Sequence, residues 1–201
     1  DMGLLFRENA ERLLRFGVVR VADAAMRPQE RSLWERYGGE SLPLLLERME
    51  VGTESMMHPP LHLLAGRPGE SPPVVKLFLD GGAQCAMELS PRDMARGLWD
   101  TARKIGQGGS ARAGLRTFLQ TEARIGRNGK VQLGYFLADP EQIESVVSEA
   151  HRLGYPVATH ALGNAAVGRI LDIYERVQDR EGLPARPFRV EHALFLTEEL
   201  V

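Results

Sequence analysis

The sequence predicts an α/β fold in which helices cover a parallel β-sheet. Short apolar segments recur along the chain, and most are followed by a longer segment with apolar residues three and four positions apart. The short segments are apolar almost throughout, which is typical of strands buried on both faces of a sheet. Strands of this kind, alternating with helices, predict a sheet whose carboxyl edge carries the ligand-binding loops.

The first part of the chain predicts two helices and two strands. Residues 4–16 place apolar and charged residues at helical spacing, and Gly17 is expected to end this helix. Residues 18–23 are predicted as a buried strand whose last residue is an aspartate. Residues 28–38, rich in Arg and Glu, are predicted as a solvated helix, and residues 42–51 as the second strand.

The middle of the chain predicts a third strand between two irregular regions. The Pro and Gly content of residues 52–73 predicts a loop. Residues 74–80 form an apolar strand that contains a single lysine. Residues 91–104 are predicted as a helix with Ser90 as its cap and proline in its first turn. Residues 105–130 are basic and glycine-rich, which fits a solvated insertion, or alternatively a lid or an anion-binding loop.

The last part of the chain predicts two strands that each end on a histidine. Residues 131–137 are a short strand or an extended segment, and Asp139 then caps a helix. The buried face of that helix is predicted to contain Ile143, Val146, Val147 and Ala150. Residues 155–160 form the next strand, and Asn164 is expected to cap the helix that follows. Residues 188–192 form the final strand.

Length and charge restrict the class of protein. The 201 residues suit one domain, so residues 1–201 are predicted as a single domain with an incomplete barrel. The 25 basic and 27 acidic residues nearly cancel, which favours neither nucleic acid nor a membrane surface as partner. One cysteine excludes an internal disulfide and fits the cytoplasm. No apolar run approaches the ~20 residues of a membrane span.

Three residues with metal-site chemistry lie near the carboxyl ends of separate predicted strands. They are Lys76, His160 and His192. A neutral histidine ring offers a lone pair and is a common metal ligand, although a single histidine is more often a satisfied core residue. Because the carboxyl ends of parallel strands meet at one edge of the sheet, we expect the three side chains to point into one cavity.

The lysine is unusual because its neighbours are apolar. Val75 and Leu77 flank Lys76, and an apolar site lowers a lysine pKa and makes the amine nucleophilic. Such an amine can form a Schiff base with a carbonyl compound. It can also take up carbon dioxide to give a carbamate, an anion that can bridge two metal ions. A lyase that uses the Schiff base leaves both histidines without a role.

Three segments, in this order, resemble motifs of the amidohydrolase superfamily. They are residues 76–82 (KLFLDGG), 160–167 (HALGNAAV) and 189–193 (RVEHA). The closest resemblance is to the amidohydrolase-3 group of metal-dependent hydrolases, with its K-L-F-x-D-G, H-A-x-G-D-x-A-V and R-x-E-H-A motifs. Residues 17–24 (GVVRVADA) also resemble the segment around that group's second strand. The resemblance covers most of residues 4–201.

The resemblance implies a (β/α)8 barrel of the TIM type, of which this chain carries roughly strands two to six. Lys76 would then be a carboxylated lysine that bridges two metal ions. His160 and His192 would be metal ligands at the ends of strands five and six. Zinc is the first expectation, with one or two ions, and iron, nickel or manganese also suit such ligands.

The resemblance also implies supporting residues and reveals departures. Asp80, Asn164 and Glu191 are expected to support the metal ligands or to line the substrate pocket. Asn164 replaces the usual Asp of the family, and an amide can neither accept a proton nor balance a cation. The family's H-x-H pair after strand one and aspartate after strand eight are not matched here, since His58 and His62 fall in the predicted loop.

The function expected from these observations is hydrolysis of a C–N bond, in an amide or a cyclic amide, by a metal-activated water. The substrate would be a small molecule. The chain is expected to be an interior piece of a longer protein, inactive by itself, that pairs with another copy or with further parts of its polypeptide. The alternative is a degenerate barrel that has a binding or assembly role.

Overall fold

The computed structural model describes residues 2–37, 45–50, 73–82, 84–108, 123–126 and 128–201. Within these residues the strands are β1 (Arg20–Met26), β2 (Leu45–Glu50), β3 (Val74–Phe78), β4 (Met87–Leu89), β5 (Ala123–Ile125), β6 (Val131–Leu133), β7 (Val157–Ala161) and β8 (Arg189–His192). The helices are α1 (Met2–Arg15), α2 (Pro28–Tyr37), α3 (Pro91–Gly106), α4 (Pro140–Arg152), α5 (Asn164–Glu181) and a short 3-10 helix (Glu198–Leu200).

The main sheet has the strand order β1-β2-β3-β7-β8, and these are the five strands that the sequence predicts. β1 pairs with β2, and β2 with β3, in parallel register. The Val75 N–H donates to the Pro156 carbonyl at 2.8 Å, and the Leu79 N–H donates to the His160 carbonyl at 2.9 Å. From the first bond to the second, the residue number rises by four on both strands, so β3 and β7 are also parallel. The fold class is confirmed as α/β, a partial TIM-type barrel.

A second, antiparallel sheet has the order β4-β6-β5 and is absent from the sequence prediction. β6 lies in the segment predicted as a strand or an extended segment. β4 and β5 have three residues each, too few for a period of two to be visible. Their pairing joins Glu88 to Gln132 and Arg124 to Gln132, and the first of these pairs is distant in the sequence.

The observed ends of helices and strands can be compared with the predicted ends, and some differ by a few residues. β1 continues to Met26, three residues beyond its predicted end. Gly17 follows α1 with φ +77, as predicted for a helix-ending glycine. Ser90 accepts from the Asp93 N–H and caps α3 as expected. Of the predicted loop at residues 52–73, the part up to residue 72, with His58 and His62, lies outside the described residues, as do residues 109–122 of the basic segment.

The contacts group the chain into two compact units, and the first contains β1, β2 and most of β3. It comprises Asp1–Leu77, Ile143–Thr159 and Arg176–Arg189. Its core includes the whole predicted face of α4, with Ile143, Val147 and Ala150 fully buried and Val146 8% exposed. Full burial of one such aliphatic side chain stabilises the fold by about 1.5–3 kcal/mol.

The second unit contains the residues that follow the strands of the main sheet. It comprises Phe78–Gln142, His160–Glu175 and Val190–Val201. Its core is formed by buried residues of β7 and α5, which include Ala161, Leu162, Ala166, Val167, Ile170 and Ile173. No described helix has both the length and the apolar character needed to cross a membrane.

Candidate metal centre

The carboxylate of Asp80 organises the second unit. Asp80 is fully buried, and its Oδ1 accepts from the Leu162 N–H at 2.9 Å. Its Oδ2 accepts from the Gly163 N–H at 2.9 Å and from the Ala86 N–H at 3.0 Å. Three backbone donors offset much of the cost of burying this charge. Asp80 therefore fixes the turn that follows β7 to the segment before β4.

His160 lies beside this carboxylate. It is the fourth residue of β7, and 14% of its side chain is exposed. Its Nε2 is 3.8 Å from Oδ1 of Asp80, which is longer than a hydrogen bond. The ring centroid of His160 is 5.1 Å from that of Phe78 and 4.6 Å from that of His192. The structure thus brings the two predicted histidine ligands together.

His192 reaches this position through an unusual backbone conformation. It ends β8 with φ +78, and Ala193 follows with φ +45. Left-handed backbone is uncommon outside glycine, although histidine adopts it more readily than most residues. The turn allows the Ala193 N–H to donate to the Ala161 carbonyl at 3.0 Å. Strained backbone of this kind is often found at functional sites.

Lys76 lies in β3 and is 1% exposed. Glu191 is half-buried in β8, immediately before His192. Among the residues that the structure describes, no three or more His, Cys, Asp or Glu side chains form a group that could hold a metal ion. The assignment of Lys76 as a bridging ligand remains a prediction.

Asn164 corrects the sequence prediction, because it is the first residue of α5 and does not act as its cap. Its Oδ1 accepts from the Glu88 N–H at 2.9 Å, and its Nδ2 donates to the Glu88 carbonyl at 2.8 Å. The carbonyl of Gly163 accepts from the Val167 N–H in the first turn. The side chain of Asn164 therefore pairs with β4, which is distant in the sequence. The spacing of residues near Asn164 does not predict this pairing.

Two residues near this pairing were not identified from the sequence. The hydrogen bond from Asn128, at 2.9 Å, lowers the pKa of Glu88, and the Lys130 ammonium at 3.1 Å lowers it further. Burial raises the pKa of Cys85, and the charge of Asp80 raises it as well, so the thiol stays protonated. Both residues depend on partners that are brought close only by folding.

Gly163 allows the two segments to approach closely. A Cβ at this position would lie 1.9 Å from the carbonyl oxygen of Ala86. No side chain fits there, so the glycine of the HALGN segment is required by contact with the backbone. The turn after His160 is thereby packed directly on the segment that leads into β4.

The arrangement has the chemistry of a cation site. Two imidazoles suit zinc, iron or nickel, and a zinc–nitrogen bond of about 2.0–2.1 Å requires shared ligands to lie within a few ångströms of each other. The ring centroids of His160 and His192, 4.6 Å apart, meet this requirement. The buried Asp80 carboxylate lies beside His160, so the donor chemistry of these side chains suits a divalent metal, although the described residues do not bring three such ligands together.

Comparison with known proteins gives matches to one family, one curated protein and two solved structures. The model of the amidohydrolase family, amidohydrolase-3 type, matches residues 7–201. Protein LONG AFTER FAR-RED 3 of Arabidopsis thaliana is 41% identical over 63 residues, which are 31% of this chain and 11% of that protein. An uncharacterized metal-dependent hydrolase from Pyrococcus furiosus is 21% identical over 96% of this chain, with a TM-score of 0.57.

A second solved structure shows the same fold. It is an uncharacterized metal-dependent hydrolase from Pyrococcus horikoshii OT3, with 21% identity, 96% of this chain covered and a TM-score of 0.55. The chain covers 33% and 32% of the lengths of the two Pyrococcus proteins. At this identity the likeness establishes the fold, and the chain corresponds to about a third of each archaeal protein.

Proposed function

The chain belongs to the amidohydrolase family, and from this we propose that it forms part of a metal-dependent hydrolase that cleaves the C–N bond of an amide or a cyclic amide. The observation that carries the proposal is the pair of imidazoles, His160 and His192, with ring centroids 4.6 Å apart. The buried carboxylate of Asp80 lies beside the first of them, with 3.8 Å between Oδ1 and Nε2. The two solved relatives named as metal-dependent hydrolases support it.

His160 and His192 are the residues proposed to hold the cation, with zinc as the first candidate. A ligating histidine usually directs its other ring nitrogen to a carboxylate or a carbonyl. The Nε2 of His160 faces Asp80, so Nδ1 is the nitrogen proposed for the metal. Asp80 then has two roles, which are to favour the proton on Nε2 and to hold the turn after β7 through its three backbone donors.

Lys76 is proposed to carry a carbamate in the metal-loaded protein. The side chain is 1% exposed, and both neighbours, Val75 and Leu77, are fully buried. A neutral amine attacks carbon dioxide, an N–C bond forms, and one proton is released to solvent. The product is an anion, which suits a position between two cations. Glu191 and Asn164 are proposed to support the ligands or to line the substrate pocket.

A divalent metal bound here supplies Lewis acidity, which polarises a carbonyl and lowers the pKa of water to about 7. The residues of this chain supply the remaining requirements. The three backbone bonds of Asp80 hold the turn that follows His160, and the left-handed turn at His192 is proposed to direct the second ring towards the first. The small-molecule substrate is proposed to bind at the carboxyl ends of the strands, where α/β folds bind ligands.

The proposal is tested first by metal content. The protein is purified without chelator and analysed for zinc, iron, nickel and manganese. We expect His160→Ala and His192→Ala each to reduce metal content strongly, because each removes one ligand. His151→Ala is the matched control, since both His151 and its ring partner Phe188 lie in the first unit, and its removal should leave metal content unchanged.

Lys76→Ala tests the carbamate. We expect loss of metal and of hydrolysis together, with partial recovery on addition of a short carboxylic acid that replaces the carbamate. Hydrolysis is measured as amine released from a panel of amides and cyclic amides, with esters as comparison compounds. Full metal content in the His160→Ala and His192→Ala proteins would refute the proposed ligands. A protein that binds no metal would instead support the binding or assembly role.

A further inference from the structure

β4 pairs with a neighbouring strand on one side only among the described residues. It is antiparallel to β6, and Glu88 lies opposite Gln132. In an antiparallel pair, the N–H and C=O of one residue point to the same side. Both groups of Glu88 are directed to Asn164, so they face the outer edge of β4. Such an edge presents polar groups that need partners.

The carboxamide of Asn164 provides hydrogen-bond partners for both groups of Glu88. Like a peptide group, it has one C=O that accepts and an N–H that donates. Its oxygen accepts from the Glu88 N–H at 2.9 Å, and its nitrogen donates to the Glu88 carbonyl at 2.8 Å. The direction of the two bonds fixes which side-chain atom is oxygen and which is nitrogen. An ionised aspartate here could accept the first bond but could not donate the second, because it has no proton to give.

Neighbouring contacts strengthen the same connection. The Ala166 N–H, two residues after Asn164 in the same helix, donates to the Ala86 carbonyl at 3.4 Å. Asp80 accepts from the N–H groups of both Ala86 and Gly163. The segment before and within β4 is thus attached to residues 162–166, which directly follow His160.

We propose that Asn164 is a positioning residue whose carboxamide takes the place of a neighbouring strand on β4 and thereby holds the turn after His160. The consequence for the metal rests on the proposed function, because it requires His160 to be a ligand. The same geometry explains why this chain has Asn where the family motif has Asp. The pairing requires a donor and an acceptor on one side chain, and only the amide has both at neutral pH.

The test is the pH dependence of Asn164→Asp. At pH 7 the carboxylate faces the Glu88 carbonyl, and we expect Tm to fall by about 3–6 °C. A protonated aspartic acid donates and accepts as the amide does, so its folded-state pKa is raised above the unfolded value of about 3.9. The stability that this group contributes is present below the unfolded pKa and lost as pH rises through the folded pKa. The Tm difference from wild type should therefore narrow as pH falls from 7 to 4.

Subtracting wild type at each pH removes the titration of nearby groups that both proteins share, which are Asp80, Glu88 and Lys130. Asn9→Asp is the matched control, because this asparagine is exposed on α1 and its side chain donates through Nδ2 to the Leu5 carbonyl of the same helix. Its Tm difference from wild type should be small and should not narrow on acidification. A difference for Asn164→Asp that does not vary with pH overturns the proposal.

Comparison with Asn164→Leu distinguishes the contributions of the two hydrogen bonds to Glu88. Leucine removes both the donor and the acceptor, whereas aspartate removes only the donor. Hydrogen exchange at the Glu88 amide should accelerate at least about tenfold in Asn164→Leu, while Asn164→Asp keeps its protection. Unchanged exchange in Asn164→Leu overturns the proposal.

The positioning role is tested by measuring the affinity of the protein for zinc, with no substrate present. Asn164→Asp at pH 7 should bind zinc about tenfold more weakly than wild type, and equal affinity overturns that role. If wild type binds no zinc, the proposed function fails separately. The amides of Leu162 and Gly163 then report the turn, and unchanged exchange there in Asn164→Asp overturns the positioning role.

Discussion

Asp80 and Glu144 are both carboxylates that gather several donors, but the donors differ in kind. Asp80 is fully buried and accepts from three backbone N–H groups. Glu144 lies on α4, where it accepts from the side chains of Arg176 at 2.7 Å and Arg180 at 3.0 Å. Its side chain is 22% exposed, and those of the two arginines are 47% and 50% exposed.

The difference shows why only one of these carboxylates is expected to organise a site. Backbone N–H groups cannot leave the interior when their acceptor is removed, so each remains buried and unpaired. Arginine side chains can turn to solvent, so the loss of Glu144 leaves no buried group unsatisfied. Asp80 fixes the turn that carries His160, whereas Glu144 connects the surfaces of two helices.

The largest effect is expected for Asp80→Asn, which keeps the volume but replaces one acceptor oxygen with a donor. At least one of the three backbone donors then faces an N–H₂ group. We expect the free energy of unfolding to fall by about 2–4 kcal/mol, measured by urea denaturation. Metal content should fall with it, because the turn after His160 is no longer fixed.

Asp139→Asn is the matched control for this substitution. Asp139 is exposed and accepts from the Glu141 N–H at 3.0 Å, and an asparagine oxygen can replace that bond. We expect a change within about 0.5 kcal/mol. If Asp80→Asn were as mild as the control, the buried carboxylate would not be the organising group.

A smaller loss is expected for Gly163→Ala, which tests the same turn through packing. The added Cβ would lie 1.9 Å from the Ala86 carbonyl oxygen, so the backbone must shift at a cost of about 1–3 kcal/mol. Gly168→Ala, in the helix α5 that follows this turn, is the control, because its Cβ would meet a Leu200 methyl carbon at an ordinary contact distance of 3.6 Å. That substitution should stabilise by up to about 1 kcal/mol through helix propensity.

The main sheet and its helices could be predicted because their signals are local. The buried face of α4 follows from apolar residues at helical spacing, and Ile143 and Val147 are fully buried as predicted. The five apolar strands are the five strands of the main sheet. The two strand-end histidines were expected to lie close together, and their rings do so, while their role as metal ligands remains a prediction.

The antiparallel sheet and the roles of Asp80 and Asn164 could not be predicted, because their partners are distant in the sequence. Asp80 bonds residues 82 and 83 positions away, and Asn164 bonds a residue 76 positions away. A capping role for Asn164 was the local expectation. It was wrong because the edge of β4 provides both a donor and an acceptor for the same amide.

The smallest effect is expected for Glu144→Gln. The substitution keeps an acceptor for the arginines but removes the charge, and exposed ion pairs contribute about 0–1 kcal/mol. We expect a loss of less than about 1 kcal/mol at pH 7, with metal content unchanged. Glu149→Gln, exposed on the same helix, makes the same charge change and should cost less still.

The pH dependence of this small loss distinguishes an ion pair from a packing effect. Hydrogen bonds from Arg176, and next from Arg180, lower the pKa of Glu144 below its usual value. A lowered folded-state pKa contributes stability that is present above the unfolded pKa, about 4.3, and lost as pH falls through the folded pKa. The stability difference between wild type and Glu144→Gln should therefore shrink towards zero between about pH 5 and pH 3, as followed by thermal unfolding at low salt. A difference that stays constant over this range would mean that Glu144 acts through its shape, and the contrast with Asp80 would then rest on burial alone.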